Sequence, residues 1–338
     1  MLMLTGLIGL VGVGAASFAA LQLQESEEED DFVDRDDSNN TGDILDQIDL
    51  SDVSNPSASD AADVIIGTDA PETMSGGAGD DQIGGYGDND LLFGGDGNDV
   101  MRSGNGFDLL YRGAGDDILH GEEGDDALYA EGGHDTLYGH SGQDSLLGES
   151  GNDSLNGGQG ADTLLGGDGA DALLGGLDND LLVGGDGSDT LMGGAGSDVL
   201  KGLSTGVIPG SIMDTDAGDY LNGGADDDII VAGENDTVSG GHGADQILVG
   251  DWISRGQEAE ITDYNAEEDR LMLVWDDMAD GAQEPAVTVE TDKYDDEVRH
   301  VMMNGKSVAE VYGDPNLNTS DVTIIPLSSA LIVGLEAA

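Results

Sequence analysis

The stretch Gly76-Gly77-Ala78-Gly79-Asp80-Asp81-Gln82-Ile83-Gly84 opens a run of fourteen consecutive nonapeptides that reaches residue 201 without a slip of register. The sixth place of every unit is Asp: Asp81, Asp90, Asp99, Asp108, Asp117, Asp126, Asp135, Asp144, Asp153, Asp162, Asp171, Asp180, Asp189 and Asp198. The eighth place is Ile83, Met101 and otherwise Leu. The fourth is Gly in all units but two, where Asp88 and Asp178 stand. Both residue types tolerate a positive φ, so this place is predicted to be left-handed. A helix face needs apolar residues three and four apart, which one apolar place in nine does not supply. The unit therefore reads as a short strand and a tight turn.

One aliphatic side chain per nine glycine-rich residues is little burial to set against the entropy of ordering them. Stacking such units also brings Asp above Asp, and carboxylates a few ångströms apart repel. A hard dication with oxygen ligands would remove that repulsion and tie adjacent turns together. The other reading is a metal-free solenoid whose Asp side chains only cap turns.

The pattern G-G-x-G-x-D-x-U-x is that of calcium-binding parallel β-rolls, and residues 64–248 resemble the RTX, or haemolysin-type, calcium-binding repeat proteins. The resemblance implies an all-β fold, a right-handed parallel β-roll in which two nonapeptides make one turn and residues 18 apart stack on one edge. It further implies that Asp81 and Asp99, with carbonyls of their own turns, hold one Ca2+, and that Asp90 and Asp108 do the same on the opposite edge. Carried along the register, the expected ligands are the fourteen Asp residues above together with Asp228 and Asp245. Glu122, Glu131, His140 and Glu149 replace Gly at the second place. Because the family uses a main-chain oxygen there, binding need not be lost, and the occupancy of these central turns stays open.

Composition narrows the partners. Nine basic residues against 72 acidic ones leave a net charge of -63 in 338 residues, which argues against binding nucleic acid phosphates. With no Cys, neither a disulfide framework nor a thiolate metal site can form. Residues 1–23 are apolar and carry no charged side chain, long enough to span a bilayer as an anchor; a cleaved export signal and a soluble tail are the other readings. Family members exported by the one-step route usually carry their signal at the other end, so this start leaves the route open. Residues 24–63 are polar, acidic and poor in apolar groups, and read as a disordered linker. Residues 67–75 read as an irregular first coil that caps the roll.

A 12-residue insertion, 202–213, leaves the roll before a degenerate unit at 214–222. The period returns at 223–231, is one residue short at 232–239, and is restored at 240–248. From 249 to 338 it is lost. That region reads as a separate, mostly antiparallel β cap, with strands at 261–264, 270–275, 286–290, 298–303 and 307–312 and a type I′ turn at Asn304-Gly305. The run from Asp263-Tyr264 to Asp269-Arg270-Leu271 is similar to the segment that closes the roll in many family members. Residues 321–338 end in an apolar stretch suited to a carboxyl-terminal export signal.

No catalytic motif is evident. His-Glu-x-x-His is missing, and the near matches to Gly-x-Ser-x-Gly at Ser141 and Ser150 fail because Gln143 and Asn152 follow. His120, His134, His140 and His242 fall at different repeat places, an arrangement expected to scatter them rather than gather them around a metal. If the eighth residue points inward, the seventh and ninth of the strand triplet point out. One outer face then stacks Phe93, Tyr111, Tyr129, Leu147, Leu165 and Val183, beside Leu91, Leu109 and Leu181; the other stacks Gly84, Arg102, His120, Tyr138, Asn156, Leu174 and Met192. The first is the more apolar, and is expected to meet a second copy, another partner or the end region. The leading expectation is a non-catalytic, calcium-binding protein exported by a Gram-negative cell, whose roll folds outside the cytosol as a structural, surface or adhesive module. The alternative is an accessory subunit or toxin-like effector acting through residues 249–338.

Overall fold

A computed structural model describes residues 60–203, 217–253, 256–277 and 282–330, and the backbone of a strand at Asp46–Gln47. Each nonapeptide forms a strand and a turn, but the strand is longer than a triplet. Gln82–Gly87, Leu91–Asp96 and Val100–Asn105 each run from the seventh place of one unit through the third place of the next. Successive strands go to opposite sheets, one of 15 strands and the other of 12. Within each sheet the units pair in parallel, with Ile83 opposite Met101 and Leu92 opposite Leu110. Two nonapeptides thus make one turn of a parallel β-roll.

The eighth-place side chains enter the interior from both sheets. They form one continuous column from Ile65 and Met74 through Leu128 to Leu200, Leu221 and Ile247, none more than 3% exposed. The fourth place is left-handed throughout, including Asp88 at φ 59° and Asp178 at φ 74°. The second place is left-handed as well, which the substitutions there had concealed: Tyr86, Glu122, Glu131, His140 and Glu149 all have φ between 63° and 83°.

Irregularities in the period appear as changes of pairing. Leu191 faces Leu221 and Asp189 bonds to Asp219 across 30 residues, as an insertion of 12 requires; Leu221 then faces Val238, and Asp219 bonds to Asp236 across 17, as one missing residue requires. The unit at 214–222 is less degenerate than expected. Its strand Tyr220–Ala225 joins the larger sheet, and Leu221 and Asp219 are buried like their equivalents.

Two expected boundaries move. Residues 67–75 form a regular coil, with Met74 in the core column and Glu72 in the place of the repeat Asp. The linker ends before 63, because Asp63 is buried in the strand Asp63–Ile66, which pairs with Asp46–Gln47. The register simply starts two units earlier. Residues 1–45 and 48–59 lie outside the described residues, among which no helix is long and apolar enough to cross a membrane.

The described strands of the end region belong to the same two sheets as the roll, and their pairing is mixed rather than mostly antiparallel. Ala259–Ile261 and Arg270–Trp275 continue the two sheets in parallel, and Lys306–Val311 and Val322–Pro326 extend them again. Among the described residues only Val287–Thr291, Arg299–Met303 and Lys306–Val311 pair antiparallel. The lost period reflects longer connections, while Ile261, Leu271 and Val311 still face inward. Asn304 and Gly305 have φ of 55° and 77°, the signs a type I′ turn needs. Val322–Pro326, placed by sequence in a terminal export signal, pairs with Arg270–Trp275; residues 331–338 lie outside the described residues.

The apolar outer column is in the 12-stranded sheet. Phe93, Tyr111 and Tyr129 stack ring on ring, with centroids 5.5 and 4.8 Å apart, and Leu147, Leu165 and Val183 continue the file. The strands after 259 lie at the far edge of the sheets and extend them, so they are not laid over this column.

Candidate metal centre

The sixth-place Asp follows the left-handed turn and is turned inward. Every expected ligand, from Asp81 to Asp245, is buried. Within each carboxylate the two oxygens have different fates. Oδ1 accepts the backbone N–H of the equivalent residue one coil earlier, as from Asp81 to Asp99 and from Asp153 to Asp171, both 2.8 Å. Two files of such bonds run the length of the roll. One passes from Asp63 through Asp81 and Asp189 to Asp219 and Asp236; the other passes from Glu72 through Asp90 and Asp198 to Asp228, Asp245 and Asp269.

Oδ2 is left over. In Asp81, Asp90, Asp99, Asp108, Asp126, Asp144, Asp153, Asp162, Asp171, Asp180, Asp189, Asp198, Asp228 and Asp245 it is buried without a hydrogen-bond partner. Buried polar atoms are rarely unsatisfied, and a repeated vacancy of this kind calls for a missing ligand. Turn capping alone does not explain it, because the exposed fifth place already serves that purpose: Asp80, Asn98 and Asp116 each accept the N–H of the residue one coil on.

The space beside Oδ2 is lined by oxygen. A Cβ placed on Gly76 would lie 2.3 Å from Asp81 Oδ2 and 2.7 Å from the Gly94 carbonyl; on Gly166 it would lie 2.5 Å from both Asp171 Oδ2 and the Gly184 carbonyl. Calcium takes oxygen ligands at about 2.3–2.6 Å. The donors, all carboxylate or carbonyl, are those of a hard dication, so the residues fit calcium. The carbonyl that lines the cradles at Gly76, Gly94, Gly148 and Gly166 comes from the first place, whereas the second is the place the family resemblance implies.

Electrostatics point the same way. Burial, followed by the like charges of neighbouring coils, raises Asp126, Asp162, Asp180 and Asp228 to about 7. The same causes bring Asp81, Asp90, Asp153 and Asp189 to about 6. A bound dication would reverse this and hold the carboxylates ionised.

Sequence reasoning missed Asp63, Glu72, Asp219, Asp236 and Asp269, which join the two files. Counting 18 residues back from Asp81 and Asp90 would have found the first two. The histidines need a correction. His120 and His140 are not scattered: their ring nitrogens approach to 2.9 Å, and Glu122 brings a third ligand atom within 4.8 Å. The ninth and second places both face outward on one six-residue strand, so on adjacent strands they become diagonal neighbours. Imidazole nitrogen is no calcium ligand, and this trio lies apart from the two files. In the end region Glu258, His300 and Glu310 also converge, with His300 paired to Asp292.

A two-sheet solenoid with files of inward carboxylates and oxygen-lined cradles between coils defines a class, the calcium-binding parallel β-rolls. The RTX calcium-binding nonapeptide repeat family model matches residues 57–92, 66–101, 75–110, 111–146, 147–182, 183–204, 211–234 and 233–251, more than half of the chain. The chain belongs to that family and is a calcium-binding repeat protein. No curated protein matches it.

Proposed function

We propose that this is an exported, non-catalytic protein of a Gram-negative cell, whose roll stays unfolded at cytosolic calcium and folds on binding Ca2+ outside. There it serves as a structural, surface or adhesive module. The observation that carries this reading is the file of buried Oδ2 atoms, each lacking a partner that calcium would provide. Protease digestion of the full chain at submicromolar and millimolar calcium tests it. Rapid loss of residues 60–330 at low calcium and survival at high calcium is the expected result; equal survival would sink the export logic.

Individual ligands can be tested in the same assay. Asp153→Ala should remove about one bound calcium and, for a site saturated a hundredfold above Kd, about 2.7 kcal/mol of stability. Asp251→Ala should leave the count unchanged, because Asp251 is outside both files and its carboxylate accepts the Asp276 N–H at 2.9 Å. Equilibrium dialysis with chemical denaturation reads both quantities, and equal losses in the two variants would refute the assignment.

The stacked column Phe93, Tyr111, Tyr129 and Leu147 supports self-association of the folded roll through its 12-stranded sheet. Tyr111→Ser with Leu147→Ser should keep calcium-induced folding and reduce the mass seen by light scattering to that of one chain; an unchanged mass would show the column to be plain sheet. An effector acting through residues 249–338 finds less support, since the described strands of that region share both sheets with the roll.

A further inference from the structure

The first place of the nonapeptide is Gly in eleven units, and Ser103, Arg112 and Ala130 in the other three. Its Gly is not a matter of backbone freedom, because Gly94 and Gly148 lie outside the left-handed region. The reason is volume. A Cβ on Gly94 would sit 2.4 Å from Asp99 Oδ2 and 2.9 Å from the Arg112 carbonyl, and one on Gly148 would sit 2.6 Å from both Asp153 Oδ2 and the Gly166 carbonyl. Those separations are at or a little beyond the roughly 2.3–2.6 Å at which calcium meets oxygen, so a first-place side chain and a metal exclude each other.

Arg112 sends its side chain into this volume, where it is fully buried. Nη1 donates to the carbonyls of Ala130 at 2.8 Å and Gly132 at 3.0 Å, and to Asp135 Oδ2 at 3.0 Å. Nε forms an ion pair with Asp117 Oδ2, neither atom having a hydrogen bond, and Nη2 donates to the Gly115 carbonyl. A guanidinium thus meets, on two consecutive coils of one edge, the kinds of oxygen that elsewhere line an orphaned cradle. The methyl of Ala130, at the first place of the next coil, stands where the metal beside Asp135 would sit. Arginine is permanently charged and spreads its donors over a planar fork, which suits it to bridging two carboxylates.

We propose that the Arg112 guanidinium is the resident cation of Asp117 and Asp135, so that these two coils take no calcium while their neighbours on the same edge do. This rests on the reading that the other cradles bind calcium. The consequence is a roll with a link that travels with the chain. Coils from 112 to 138 need no metal to be joined on that edge once the roll folds, and the calcium count falls short of the number of repeat Asp pairs.

Terbium(III) in place of calcium, located by anomalous diffraction in crystals of the full chain, tests the assignment directly. Peaks are expected beside Asp99 and Asp153 and none beside Asp117 or Asp135; a peak at either of the latter overturns the proposal. Calcium counting by equilibrium dialysis supplies the converse. The double variant Arg112→Gly, Ala130→Gly should gain about two ions and Gly148→Ala should lose about one. A folded double variant with the wild-type count also overturns the proposal. Should that variant fail to fold, the terbium map and Gly148→Ala still decide. If no coil holds terbium, the calcium reading itself fails and this proposal falls with it, whereas peaks at every coil, Asp117 included, reject only the guanidinium.

Discussion

Stripped of calcium near neutral pH, the chain should lose most of its β-sheet circular dichroism, and regain it when calcium returns to about 0.1–1 mM, the range of extracellular modules. The size of the effect follows from how little else holds a coil. Each unit contributes one core side chain, such as Leu146 or Leu155, and, except where Arg112 meets Asp117 and Asp135, buries a carboxylate oxygen that has no partner without metal. Each site saturated a hundredfold above its Kd adds about 2.7 kcal/mol to the folded state, and the sites are stacked along both edges. The transition should be steep because every cradle joins two coils, so filling one orders the ligands of the next. A chelated sample with an unchanged spectrum and melting temperature would show the metal to be incidental.

Acid should substitute for calcium. In the metal-free fold Asp126, Asp162, Asp180 and Asp228 are raised to about 7, and Asp81, Asp90, Asp144 and Asp153 to about 6, from an ordinary value of 3.8. A group raised in the folded state holds its proton more tightly there than in the unfolded chain. Its stabilisation is complete below the unfolded value and is lost as pH rises through the folded one. The metal-free chain should therefore be β-rich below a pH of about 4 and lose that structure as pH climbs through about 6–7. With calcium the trend reverses, since protons and metal compete for the same Oδ2 atoms and acid expels the metal. Circular dichroism against pH, on resin-stripped protein with and without added calcium, should give two curves that cross. A metal-free curve that is flat, or that rises with pH, would refute the desolvated-carboxylate account.

Much of this was legible in the chain. Fourteen units in register placed Leu92, Leu110 and Leu128 in one core column and the Asp series on the coil edges. The insertion after 201 and the residue missing from 232–239 could be read to the residue, and they return as pairings of 30 and 17. The ends were less legible. Ile261 and Val311 keep the inward role, but connections of irregular length hide the spacing that identifies a coil, so the end region read as a separate domain.

The sequence by itself determined the period, the inward residue, the carboxylate files and the family, because in a solenoid each residue meets its own equivalents one coil away and spacing along the chain is spacing in the fold. Only the tertiary structure decided which oxygen of each Asp is used by the backbone and which is left for a cation. It also decided that the first place shares its volume with that cation, that Arg112 enters it, and that His120 meets His140. The physical reason is common to all of these: they depend on where a side chain points across the gap between coils, and residue type at a given place does not fix that direction.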